Sequence, residues 1–245
     1  MSDYITTYSG THFVPTKPDA STIHITDIAH ALSLICRGNG HVKTFFSVGQ
    51  HCINCAREAK ARGLSARIVL ACLLHDASES YMSDVPRPFK QYLDKYLEFE
   101  EQLLDVIYTK YLGSALSNEE KAAVKQIDDD MLYFDLRELL NESSDREEPQ
   151  MKTTFSYEVL PFGMVESEYL SLYYMCKADL DFENVRKKAK IMSKAVIKRH
   201  IENSECNYRK SAEYGNADAG GCLEALKAYK SRLSFYRLEA KLQEL

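Results

Sequence analysis

Tryptophan is absent from this chain of 245 residues, and with it long apolar runs, an excess of basic charge and any framework of paired cysteines. No stretch approaches the roughly 18 consecutive apolar residues that a bilayer-crossing helix requires, so no membrane span is expected. The opening residues, "MSDYITTYSGTHFVP", lack the basic-then-apolar layout of a secretory leader. A net charge of −5 argues against nucleic acid as a stoichiometric partner, although a basic pocket inside an acidic protein remains compatible with it. Seven cysteines, an odd number without framework spacing, read as reduced thiols of a cytoplasmic protein. The close pair Cys52 and Cys55 in "CINC" has no second pair to complete a zinc site, and is expected to pack in a core.

Strand signals are scarce as well. "SYEVLPF" (Ser156 to Phe162) is the best short candidate, and helical periodicity dominates elsewhere. Ile25, Ile28, Ala29, Leu32 and Ile35 fit a 3.6-residue period that stops at Gly38 and Gly40. A second helix is expected from about Val42 to Arg62, with Phe45, Val48, Cys52, Cys55, Ala56 and Ala59 on one stripe. Ser65 caps "ARIVLACLLHDASESY", whose first turns are apolar nearly all round and therefore central. A long amphipathic helix then ends at Gly113, and the capping box "SNEE" (Ser117 to Glu120) opens another that runs to about Asn141. "NESSDREEPQMKTT" is polar enough for a surface loop, and a further helix is expected over residues 165–177. The expected architecture is all-α: a main unit over residues 1–180 and a helical extension over 181–245.

Polar groups are concentrated where an apolar run ends. In "LLHDASESYMSDVPRPFK", His75, Asp76 and Glu79 fall on roughly one helical face, and Asp84 follows before the chain turns at Pro86 and Pro88. Buried carboxylates and imidazoles need partners, and a divalent cation satisfies several at once. His51 lies 24 residues upstream beside an apolar stripe. Asp128, the first acid of "IDDDM", is flanked by Ile127 and Met131 in the core register, where a mid-helix Asp is unfavourable by propensity. Two imidazoles and two carboxylates suit a hard or borderline ion such as Mn, Co, Mg or Fe, with positions open to water. Glu79 is placed to orient and deprotonate that water.

The order His…His-Asp…Asp resembles the signature of the HD-domain phosphohydrolases, an all-α metal-dependent superfamily. The longer string "HDASESYMSDVPRPFK" is similar to the bacterial 5′-deoxynucleotidase group within it, with Ser83 standing where that group has glycine. The resemblance covers about residues 20 to 142. It implies an HD-type helical bundle in which His51, His75, Asp76 and Asp128 hold the metal, Glu79 activates the attacking water and Asp84 lines the substrate pocket. It further implies that Arg37, 14 residues before His51, grips the phosphate, as a planar guanidinium is suited to do. Lys90 is a candidate to assist. Gly38 occupies the place of a tryptophan that in this group helps select the deoxy sugar, so sugar preference stays open.

These readings lead to an expected hydrolase of a small nucleotide, most simply a (deoxy)nucleoside 5′-monophosphate. A nucleoside triphosphohydrolase and a (p)ppGpp-type pyrophosphohydrolase are alternatives, the latter weakened by Ser80, where those enzymes carry a second acid. A nucleotide-sensing module with little turnover is an alternative of another kind. Residues 208–231 resemble one fragment of a Sel1-type helical repeat without a second copy, so a helical hairpin docked on the main unit is expected, and the alternative is that the final helical stretch pairs two subunits as a homodimer.

Overall fold

The computed structural model describes residues 3–189, which are mostly helical. Eight α-helices follow a small antiparallel hairpin of β1 (Ile5–Thr6) and β2 (His12–Phe13), in which Ile5 pairs with Phe13 and Thr6 with His12. The helices are α1 (Ile25–Leu34), α2 (Val48–Ala61), α3 (Ala66–Leu74), α4 (Glu79–Met82), α5 (Arg87–Lys90), α6 (Asp94–Leu112), α7 (Asn118–Leu140) and α8 (Phe162–Ala189).

Central placement of α3 follows from its composition. Every residue from Ile68 to Leu74 is buried, and α2, α6, α7 and α8 all pack on this helix. A helix with no polar face has no stable position except in the middle of a bundle. Ser65 caps its start by accepting from the Ile68 amide, and Glu183 of α8 accepts from the Ala66 amide at 3.1 Å. At its other end the Tyr169 hydroxyl of α8 donates to the Leu73 carbonyl at 2.7 Å, meeting one of the acceptors that a helix end leaves open. The end of α3 is therefore held firmly, and the polar cluster begins there.

Several boundaries differ from the sequence expectation. The second helix begins at Val48, not near Val42, because Ser47 and Gln50 form a reciprocal capping box there. Val42 and Phe45 fit the periodicity but belong to the preceding loop. The third helix stops at Leu74, so His75 and Asp76 lie in a turn that leads into the short α4. Ser156 to Pro161 form no strand, Phe162 opens α8, and that helix starts three residues before 165 and continues well past 177. The N-terminal hairpin was not anticipated. It is fastened to α1 by the Asp27 carboxylate, which accepts from the Ser9 amide at 2.7 Å and from the Ser9 hydroxyl at 2.9 Å. Residues 181–189 of the expected extension belong to α8, and the rest of it, with the Sel1-like fragment and any dimer-forming helix, lies outside the described residues. Among the described residues no helix is long and apolar enough to cross a membrane.

Candidate metal centre

Three separate parts of the chain converge on one point. The capping box at Ser47 sets the first turn of α2 and places His51, fully buried, on its inner side. The turn after α3 carries His75 and Asp76. Helix α7 brings Asp128 in the middle of its length. His51 Nε2 lies 3.3 Å from His75 Nε2, 3.1 Å from Asp128 Oδ1 and 3.9 Å from Asp76 Oδ2. His75 Nε2 is 3.3 Å from Asp76 Oδ2 and 3.6 Å from Asp128 Oδ1. Adjacent donors to one ion, each bonded at about 2.0–2.2 Å, are roughly 3.0–3.5 Å apart. Three of these five separations fall in that range, and the cluster could hold a divalent cation.

Hydrogen bonds on the far sides of the rings settle which nitrogens face inward. His75 Nδ1–H donates to the Cys72 carbonyl at 2.8 Å, since a carbonyl can only accept. His51 Nδ1–H donates to the Asp135 carboxylate at 2.8 Å. Each ring thus turns its Nε2 toward the shared point, as metal-ligating histidines ordinarily do. Asp135 is buried and was missed in the sequence reading. Its signal was available: it lies two helical turns beyond Asp128 and so on the same face of α7.

Charge in the cluster is strongly coupled. Burial and Arg37 press the His51 imidazolium down, but the Cys55 sulfur, Asp135 and Asp128 together hold it well above the ordinary imidazole value. Burial opposes the charged His75 too, and Asp76, Cys52 and Asp128 outweigh it. Despite burial, the two imidazoles hold Asp128 well below the usual carboxylate range. Protons on the imidazoles and a divalent cation would satisfy these carboxylates in the same place, so the two compete.

Glu79 opens α4 within reach of this cluster. It is buried, and its Oε2 is without a hydrogen-bond partner among the described residues. Burial, with Asp76 and Asp84 adding repulsion, keeps its carboxyl well above the ordinary range. Asp84 is raised for the same first reason, with Arg37 and Lys90 opposing. Arg37 sits in a tight turn whose next two residues, Gly38 and Asn39, have left-handed backbones. Its guanidinium donates to Asp76 and to Asp135, both at 3.4 Å. Lys90 pairs with Glu100 at 2.6 Å and stands on the wall of a cleft of about 460 Å³ that opens onto His75, Asp76 and Asp128. Arg87, not singled out in the sequence, lines the same cleft and donates to Asp128 and, at 2.7 Å, to Asp129.

The "CINC" cysteines are in the core, as expected, yet beside the candidate metal ligands. Cys55 Sγ is 3.5 Å from His51 Nε2. His51, Cys55 and His75 form one group of mutually close donor atoms, and Cys52, His75 and Asp76 form another. Burial raises the Cys52 thiol, and a protonated thiol is a poor ligand. For a hard or borderline ion the nitrogen and oxygen donors are the better set, because thiolate sulfur suits softer ions.

Comparison with known proteins adds relatives without known activities. The chain is 38% identical over 136 residues to the uncharacterized protein YfdR of Escherichia coli, a match covering 56% of this chain and 72% of the relative. It is 34% identical over 118 residues to an uncharacterized protein of Rhodobacter capsulatus, covering 45% of this chain and 60% of that one. No protein-family model matches. The helical fold and the cluster are compatible with an HD-type domain.

Proposed function

We propose that this chain, which belongs to the family of the uncharacterized protein YfdR of Escherichia coli, is a metal-dependent phosphohydrolase of the HD type acting on a small nucleotide, most simply a (deoxy)nucleoside 5′-monophosphate. One observation carries the reading: two Nε2 atoms and two carboxylates from α2, the turn after α3, and α7 meet near coordination spacing, with a buried carboxylate of which one oxygen, Glu79 Oε2, lacks a hydrogen-bond partner among the described residues. His51, His75, Asp76 and Asp128 would hold the ion. A divalent cation bound there supplies a Lewis acid that polarises a phosphoryl oxygen and acidifies water.

The remaining work falls to the chain's own groups. A cation held beside Asp76 would offset the repulsion that keeps Glu79 protonated, and its Oε2, without a hydrogen-bond partner among the described residues, would then accept a proton from water as the water oxygen bonds to phosphorus. Its raised affinity for protons suits it to pass that proton on to the leaving 5′-oxygen as the phosphorus–oxygen bond breaks. Arg37 is restrained by two long bonds to carboxylates and keeps other N–H donors for phosphate oxygens. Lys90 and Arg87 stand along the cleft where the rest of a nucleotide would extend, whereas Asp84 is not among the residues that line this cleft.

The test is hydrolysis with Mn, Co or Mg across nucleoside mono-, di- and triphosphates, with the released species identified. Orthophosphate from monophosphates supports the reading, while tripolyphosphate would assign the chain to the triphosphohydrolases. Tight nucleotide binding without turnover, metal being bound, would make it a sensor.

A further inference from the structure

We infer that Asp135 is a positioning residue of the metal centre, fixing His51 for the cation and Arg37 for phosphate through a single carboxylate. The inference rests on the roles given above to His51 and Arg37. An aspartate inside a helix is unfavourable by propensity, and a buried carboxylate is costly unless its oxygens are met. All the partners of Asp135 are groups at or beside the site. Oδ2 accepts from His51 Nδ1–H at 2.8 Å and from Arg37 Nη2 at 3.4 Å. Oδ1 accepts from the Tyr157 hydroxyl at 3.0 Å. With both oxygens engaged, the plane of the carboxylate is set, and the His51 ring is set with it.

Tyr157 has its own supports. Its ring packs on Phe46 with centroids 5.1 Å apart, one residue before the Ser47 cap of α2. The next residue, Glu158, receives the Gln50 side-chain amide on its carbonyl at 3.2 Å. The connection after α7 is thus clamped against the start of α2, where His51 lies. Without Asp135 the His51 imidazole could rotate about its χ2 torsion or exchange tautomers, and either change removes Nε2 as a donor. Among the described residues Arg37 would keep a side-chain hydrogen bond to Asp76 alone, so phosphate binding should loosen together with metal binding. A buried ion pair that served the fold alone would not link the two.

The test uses the full chain and the variants Asp135→Ala, Asp135→Asn and Tyr157→Phe, each shown to be folded by circular dichroism. Mn²⁺ affinity is measured by calorimetry, with KM and kcat for a nucleoside 5′-monophosphate alongside. Outer partners of ligating histidines typically contribute about 10–100-fold to metal affinity. Asp135→Ala should lose affinity in that range and raise KM. Asp135→Asn, which keeps an acceptor without the charge, should lose less, and Tyr157→Phe less again. Wild-type Mn²⁺ affinity in folded Asp135→Ala would overturn the inference; if that variant does not fold, the same result in Asp135→Asn would do so. Wild-type protein that binds Mn²⁺ but hydrolyses nothing refutes the proposed function alone, since the affinity series still reports on Asp135. Wild-type protein that binds no Mn²⁺ refutes both.

Discussion

Glu79 concentrates the tension between stability and activity at a single side chain. Its carboxyl is buried beside Asp76 and Asp84, and one oxygen lacks a partner, so the folded state favours the protonated form. A carboxyl whose folded pKa is raised costs nothing below its ordinary value near 4.5 and destabilises the fold as pH rises above it. In metal-free protein, Glu79→Gln should therefore raise Tm at pH 7, and the gain should vanish as pH falls below about 4.5. The same variant should retain metal and lose kcat by about 10²–10⁴-fold. Unchanged kcat would make Glu79 a structural residue only. At this scale the sequence was informative where residues stood together, as in His75, Asp76 and Glu79. It was poor where a role depends on a partner distant in the chain. Asp135 looked like one more acid on an amphipathic helix, and Arg87 like a cation between two prolines, until Asp128 and His51 were placed.

At the level of elements, α2 must approach its neighbours closely to deliver His51. Gly49 makes this possible: a Cβ there would meet Val165 Cγ1 at 3.1 Å and the Leu32 carbonyl oxygen at 3.2 Å. Gly49→Ala should destabilise the protein by about 1–3 kcal/mol through overpacking between α1, α2 and α8. A thermal melt indistinguishable from wild type would show that the helices can shift apart freely. Caps were the most legible element signals. Ser117 and Glu120 form the expected capping box, and Gly113 closes α6 in the left-handed conformation. Periodicity misled where a cap overruled it: Val42 and Phe45 continue the apolar stripe, but Ser47 bonded to Gln50 starts the helix later. The hairpin of Ile5–Thr6 and His12–Phe13 is too short for alternation to register. The end of α3 at Leu74 was hidden because the residues beyond it have helical character without a breaker.

For the molecule as a whole, one buried network joins α2, α7 and the connection that follows. Glu58 is fully buried and accepts from Arg62 at 2.7 Å, from the amides of Lys152 and Thr153, and from the Thr153 hydroxyl. Arg62 also donates to Asp130, as does Arg146. The stretch read as a surface loop is thus exposed along much of its length but tied down at Arg146 and at Lys152 and Thr153. Burial opposes the charge on Glu58, and Arg62 with the loop donors more than offsets it, so its pKa lies below the ordinary 4.5. Its stabilising effect is complete above that value and is lost as pH falls through the lower folded value. Glu58→Gln should cost about 3 kcal/mol at neutral pH, as expected for breaking a buried charged network. That difference should narrow below pH 4.5. A difference that stays constant with pH would mean that the charge of Glu58 contributes nothing.

The metal centre itself is tested most directly by locating the ion. Crystals of the full chain grown with Mn²⁺ and measured for anomalous scattering should show one peak within bonding distance of His51 Nε2, His75 Nε2, Asp76 and Asp128. A peak on the thiols of Cys52 or Cys55, or none at the cluster despite saturating Mn²⁺, would contradict the account.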